Sequence, residues 1–199
     1  ETASWSRRGT SDVTIRTDWN GPAHDHTNTK SEIASRAACD LNPIDVRNAA
    51  HVLRLKCYTW PDQTERLARL DAAIALAQKA DVRVEQADAE DWLAAKLAAR
   101  ASHGPTVVFH SVFLIYPPRE KIAAIMRLIA DEGAKATEAR PLAWLCYESE
   151  ALFGGDKTSP LMYARLQTWP GGDVRWIAKS DGHVTRVEAF EPSVHIALQ

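Results

Sequence analysis

The sequence has little of what a disulfide-built or membrane-spanning protein depends on. It holds only three cysteines in 199 residues, Cys39, Cys57 and Cys146. They are odd in number, far apart and in no C-x-x-C pair, so free thiols in a reducing cytoplasm are expected rather than a disulfide framework. No apolar run reaches the length of a membrane span, and no charged-then-apolar leader opens the chain. The formal net charge is only −2. Such a balance does not favour a broad polyanion-binding surface, so neither nucleic acid nor membrane is an expected partner. No G-x-S-x-G elbow is present, nor any internal repeat or low-complexity tract. What remains is an ordinary globular composition, 45% hydrophobic and 25% charged, long enough to bury a sizeable core.

The most informative stretch is Thr106-Val107-Val108-Phe109-His110-Ser111-Val112-Phe113. It sits between Gly104-Pro105 and Tyr116-Pro117-Pro118 and reads as a central strand buried on both faces. Polar residues at the carboxyl end of such a strand open onto the crevice where parallel sheets bind ligands. His110 and Ser111 occupy that end. Leu142–Tyr147 reads as a second buried strand, ending in Glu148 and Glu150. Between the two, Pro118 starts a helix with Ile122, Ile125, Met126 and Ile129 on one stripe, and Gly133 is expected to stop it. The strand–helix–strand rhythm over 82–148 predicts parallel pairing through right-handed crossovers.

The flanking segments follow. Residues 1–11 read as a flexible lead-in and 12–199 as a single α/β domain. An opening Glu in place of Met suggests a processed, tagged or truncated chain. Val13–Thr17 alternates like a strand. His24-Asp25-His26 offers two metal ligands and Cys39 a third, but no fourth stands at a familiar spacing, so a solvated loop is expected and no metal site is assigned. Asp45 is placed to cap a helix carrying Val46, Ala49, Ala50, Leu53 and Cys57. A second helix opens at Trp60-Pro61-Asp62-Gln63. Its inner face is Leu67, Leu70, Ile74 and Ala77, Glu65 and Arg69 form an i,i+4 pair, and Trp60 is expected in the core. After a short strand over 81–86, Asp88 with Asp91 resembles a capping box. Leu161–Trp169, Val174–Lys179 and Val184–Phe190 are strand-like with no helix between them. Gly171-Gly172 and Asp181-Gly182 separate them, which predicts an antiparallel meander.

Three segments carry a family resemblance: Arg36–Val46 (RAACDLNPIDV), Tyr58–Arg66 (YTWPDQTER) and Thr106–Phe113 (TVVFHSVF). Together they resemble a bacterial family catalogued as domain-of-unknown-function family 2332. That resemblance implies a Rossmann-like three-layer sandwich with a mostly parallel sheet and a C-terminal antiparallel hairpin or meander, similar to S-adenosylmethionine-dependent methyltransferases. Family members carry an upstream Gly-rich loop of the E-x-G-x-S-x-G-L-N type. This sequence has no such loop, so it is expected to lack the first strand and that loop. Set against the methyltransferase plan, Asp40, with Asn42 and Asp45 beside it, would meet the cofactor's ribose, and Asp88 its adenine amine. Ser111 would line the cofactor site. His110 would face the reacting centre as a general base, its rival role being a structural histidine at a strand end.

Three functions follow in order. The first is methyl transfer from S-adenosylmethionine to an unknown acceptor. The second is a non-catalytic domain of the same fold that binds a small molecule or a partner, including a second copy paired through a sheet edge. The third is a hydrolase using Ser111 or a Cys. It ranks last, because adjacent His110 and Ser111 on a strand point to opposite faces.

Overall fold

The structure, a computed structural model, describes residues 13–22, 32–80 and 83–191. In chain order the elements are β1 (Asp18–Asn20), β2 (Ala38–Asp40), α1 (Ala49–Lys56), α2 (Thr64–Lys79), β3 (Val84–Gln86) and α3 (Ala89–Ala98). Then come β4 (Thr106–Ser111), α4 (Arg119–Ala134), β5 (Leu142–Ser149), β6 (Leu161–Trp169), β7 (Asp173–Asp181) and β8 (Arg186–Ala189). The fold is mixed α/β and divides into two compact units. Among the described residues, one holds 13–15, 32–80 and 83–92, and the other holds 16–22 and 93–191.

The first unit carries a two-stranded parallel sheet, β2 beside β3, with Asp40 opposite Gln86. Asn48 caps α1 by accepting the N–H groups of Ala50 (2.9 Å) and His51 (3.3 Å). This corrects the expectation for Asp45, which instead accepts the Arg47 N–H (2.9 Å) in the preceding turn. A helix needs its cap directly before the first turn, and Asp45 is three residues too early. Helix α2 starts at Thr64, later than the Trp-Pro pair suggests, and buries Ile74. Trp60 is 73% exposed, not core.

The second unit is built on a six-stranded sheet in the order β1-β8-β7-β6-β5-β4. β4–β5 and β1–β8 are parallel, whereas β5–β6, β6–β7 and β7–β8 are antiparallel. The sheet is therefore mostly antiparallel, and the expected parallel majority is corrected. The crossover rhythm stops at β5, and short turns can join only antiparallel neighbours. The meander stands where the Asp181-Gly182 signal placed it. The Asp181 carboxylate holds that turn, accepting the Thr185 hydroxyl and the N–H groups of His183 and Arg186. The Thr185 hydroxyl, with the backbone donors, keeps Asp181 well below the usual carboxylate range.

Strand β4 is an edge strand of this sheet, not its centre. Its residues alternate, with Val107 at 59% and Phe109 at 62% exposure. An unbroken apolar run cannot by itself tell a two-sided strand from an edge strand with one bare face. β5 alternates more sharply, burying Leu142, Trp144, Cys146 and Glu148. Helix α4 covers that face with Ile125, Ile129 and Gly133. Gly133 is the last residue but one of the helix, which ends at Ala134. A Cβ there would come within 2.4 Å of the Trp169 ring, so glycine permits the contact.

Candidate functional site

The polar centre of the second unit lies at the carboxyl ends of β4 and β5. In the parallel register His110 sits beside Cys146, one step before Glu148. Glu148 is completely buried, at 0% exposure. Its Oε1 is 2.6 Å from His110 Nδ1 and accepts the backbone N–H groups of Phe113 (2.9 Å) and Leu114 (3.3 Å). The Trp144 indole N–H donates to His110 Nε2 at 2.9 Å. An indole nitrogen can only donate, so Nε2 is the acceptor and the imidazole proton sits on Nδ1, pointing at Glu148. The result is a fixed tautomer in the chain Trp144→His110→Glu148. The Arg165 guanidinium lies 5.1 Å above the Trp144 ring and helps hold the indole in place.

Backbone geometry completes the arrangement. Val112 follows β4 at φ 51°. A β-branched residue in the left-handed region is strained, by about 1–3 kcal/mol. The turn directs the next two N–H groups onto Glu148. The other carboxylate oxygen, Oε2, is buried and has no hydrogen-bond partner among the described residues. Ser111 lies on the opposite sheet face, exposed, in the register of Tyr147. Opposite faces are what strand geometry requires of neighbours, and they keep Ser111 and His110 from forming a nucleophile–base pair.

Cys146 is buried on the same face, and burial pushes its thiol up to about 11. The thiol is therefore neutral at ordinary pH and a poor nucleophile. Ellman's reagent at pH 8 should titrate exposed Cys57 rapidly and reach Cys146 only at the rate of unfolding. Because the folded value lies above the unfolded one, this group's stabilising contribution is intact below the ordinary thiol range and falls as pH rises toward 11. A Cys146→Ala protein should lose less of its stability over that alkaline range, read from urea midpoints. Rapid modification of Cys146 in the folded protein would contradict the burial argument.

The remaining candidates belong to the first unit. Asp40 ends β2, and its backbone carbonyl accepts the Ala87 N–H just past β3. Its Oδ1 accepts the Asn42 N–H at 2.7 Å. Asp88 follows two residues after β3 and caps α3, its Oδ1 accepting the Glu90 N–H at 3.0 Å. Asp40 and Asp88 thus stand at the same end of two neighbouring parallel strands, with Asn42 and Asp45 in the loop beyond β2. Among the described residues no group of three His, Cys, Asp or Glu side chains could hold a metal ion. His24, Asp25 and His26 lie outside the described residues.

Residues 4–189 match a bacterial protein family, described as an uncharacterized protein conserved in bacteria, domain of unknown function 2332. The chain belongs to this family. The family's description assigns no activity. No curated protein and no solved structure matches the chain.

Within this member of family 2332, Glu148 is the residue that the sequence reading placed at a strand end but gave no role. The signal was present: Leu142, Trp144, Cys146 and Glu148 share one period-2 face, and three of them are strongly apolar or thiol-bearing. An acid continuing that face is a buried acid, and a buried acid requires donors.

Proposed function

We propose that this chain binds an S-adenosylmethionine-type cofactor in the service of methyl transfer to a small-molecule acceptor. One observation carries the reading: Asp40 and Asp88 stand at the carboxyl ends of adjacent parallel strands. Ligands of parallel α/β sheets bind outside those ends. The donor set suits an adenosine. Asp40 is exposed, and its second oxygen has no partner among the described residues, leaving it able to accept a ribose hydroxyl. Asp88 would receive the adenine amine while its Oδ1 also caps α3, and Asn42 and Asp45 would border the ribose. The cofactor, when bound, supplies the methyl group.

His110, in the second unit, has both ring nitrogens engaged and joins the ends of β4 and β5. Three free cysteines fit a cytoplasmic setting. The same two engaged nitrogens favour a second reading, a domain of this fold that binds its ligand without turnover. No described helix is long and apolar enough to cross a membrane.

Calorimetric titration with S-adenosylhomocysteine tests the proposal. We expect saturable binding at one site. Asp88→Ala should weaken it at least tenfold and destabilise the protein by about 1 kcal/mol through cap loss. Asp88→Ser keeps a capping oxygen but removes the carboxylate. It should weaken binding equally while restoring most of the stability. If Asp88→Ser binds like the parent, the carboxylate is a cap alone and the cofactor assignment fails.

A further inference from the structure

The first unit also holds an open cleft of about 410 Å³ that includes none of the candidate residues. Its walls include Ile15, Leu55, Tyr58 and Leu70, with Arg66 and Arg69 beside them. Its volume falls in the range of small-ligand sites, and an apolar lining with a few converging polar groups is their usual composition. Arg66 and Arg69 lie three residues apart on α2, so they project from neighbouring positions of one helix face.

Charge makes the cleft selective. None of the residues lining it is acidic. Arg66 donates to the neutral Gln63 Oε1 at 3.3 Å. Arg69 makes no ion pair or hydrogen bond among the described residues, so the helical pair expected with Glu65 is not formed. Two guanidinium groups without a carboxylate, beside apolar walls, attract an anion. Their planar donor forks match carboxylate and sulfonate geometry. Tyr58, largely exposed at the cleft, offers a flat face for a ring.

We propose that this cleft binds a small organic anion, an aryl carboxylate or sulfonate, with the acid group on Arg66 and Arg69 and the ring against Tyr58, Ile15 and Leu70. The site is separate in its residues from Asp40 and Asp88 and does not rest on the cofactor reading.

The test uses two fluorescent probes of similar shape: 1-anilinonaphthalene-8-sulfonate and its uncharged counterpart N-phenyl-1-naphthylamine. The full chain should bind the sulfonate saturably, one per chain, at least tenfold more tightly than the neutral probe. The Arg66→Gln/Arg69→Gln double variant alters only the charged wall. It should lose that preference while its melting temperature and its affinity for the neutral probe stay unchanged. Tyr58→Ser should weaken both probes. Equal affinity of the full chain for the two probes, absence of saturable sulfonate binding, or undiminished sulfonate affinity in the double variant would each overturn the proposal.

Discussion

Glu148→Ala is expected to cost about 3–5 kcal/mol of stability, because a buried donor left without its acceptor costs about 1–3 kcal/mol and three donors lose theirs. The substitution leaves His110 Nδ1–H and the N–H groups of Phe113 and Leu114 without their acceptor, around a carboxylate that is itself fully buried. It also removes the interaction that holds the strained turn at Val112. Glu148→Gln keeps an oxygen that can serve the same three donors and places an amide group where Oε2 lies. That amide finds no acceptor there, so a smaller loss of about 1–3 kcal/mol is expected. Urea unfolding reads both variants, and the slope should stay constant if only the native state is affected. An alanine variant within about 1 kcal/mol of the parent would mean that Glu148 does not organise the ends of β4 and β5.

The second large effect is at Gly133. Alanine ordinarily improves a helix interior by about 0.5–1 kcal/mol over glycine. Here the added methyl would lie 2.4 Å from Trp169 Cδ2 and 2.5 Å from Cε2. Trp169 is itself buried and part of β6, so neither side can yield freely. Overpacking of this kind costs about 1–3 kcal/mol, and the short distances place Gly133→Ala among the net destabilising changes. A double-mutant cycle isolates the contact. Trp169→Leu alone removes buried area, but Gly133→Ala added to it should be far less harmful than in the parent, with a coupling of about 1 kcal/mol or more. Additive losses would show that the ring is not the obstacle.

These sites show where sequence pattern stops being informative. Periodicity located β4, α4, β5 and the C-terminal meander, because alternation and helical stripes are local properties. It misplaced β4 within the sheet, since the residues that would cover Val107 and Phe109 are a matter of tertiary neighbours. Gly133 reads as a stop signal on composition, yet its function depends on a ring 36 residues later in the chain. Asp45 and Asn48 are both good caps, and only the first helical hydrogen bond decides between them. At the candidate site, His110 was legible as a polar residue at a strand end. Its engagement by Trp144 and Glu148 was not, because that depends on the register of β5 against β4.

One pairing bears on how the second unit assembles. β1 lies parallel to β8, with Asp18 opposite Arg186 and Asn20 opposite Glu188. Nearly the whole chain intervenes between partners, so this contact raises the mean sequence separation of the fold, and high contact order slows folding. The entropy of closing so long a loop grows only logarithmically with its length, so the equilibrium cost is modest while the kinetic delay is not. β1 is three residues long and should dock after the β5–β6–β7 meander has formed. Amide protons of Asp18–Asn20 should then exchange with solvent ahead of those in β6, through a local opening that releases β1 without unfolding the sheet.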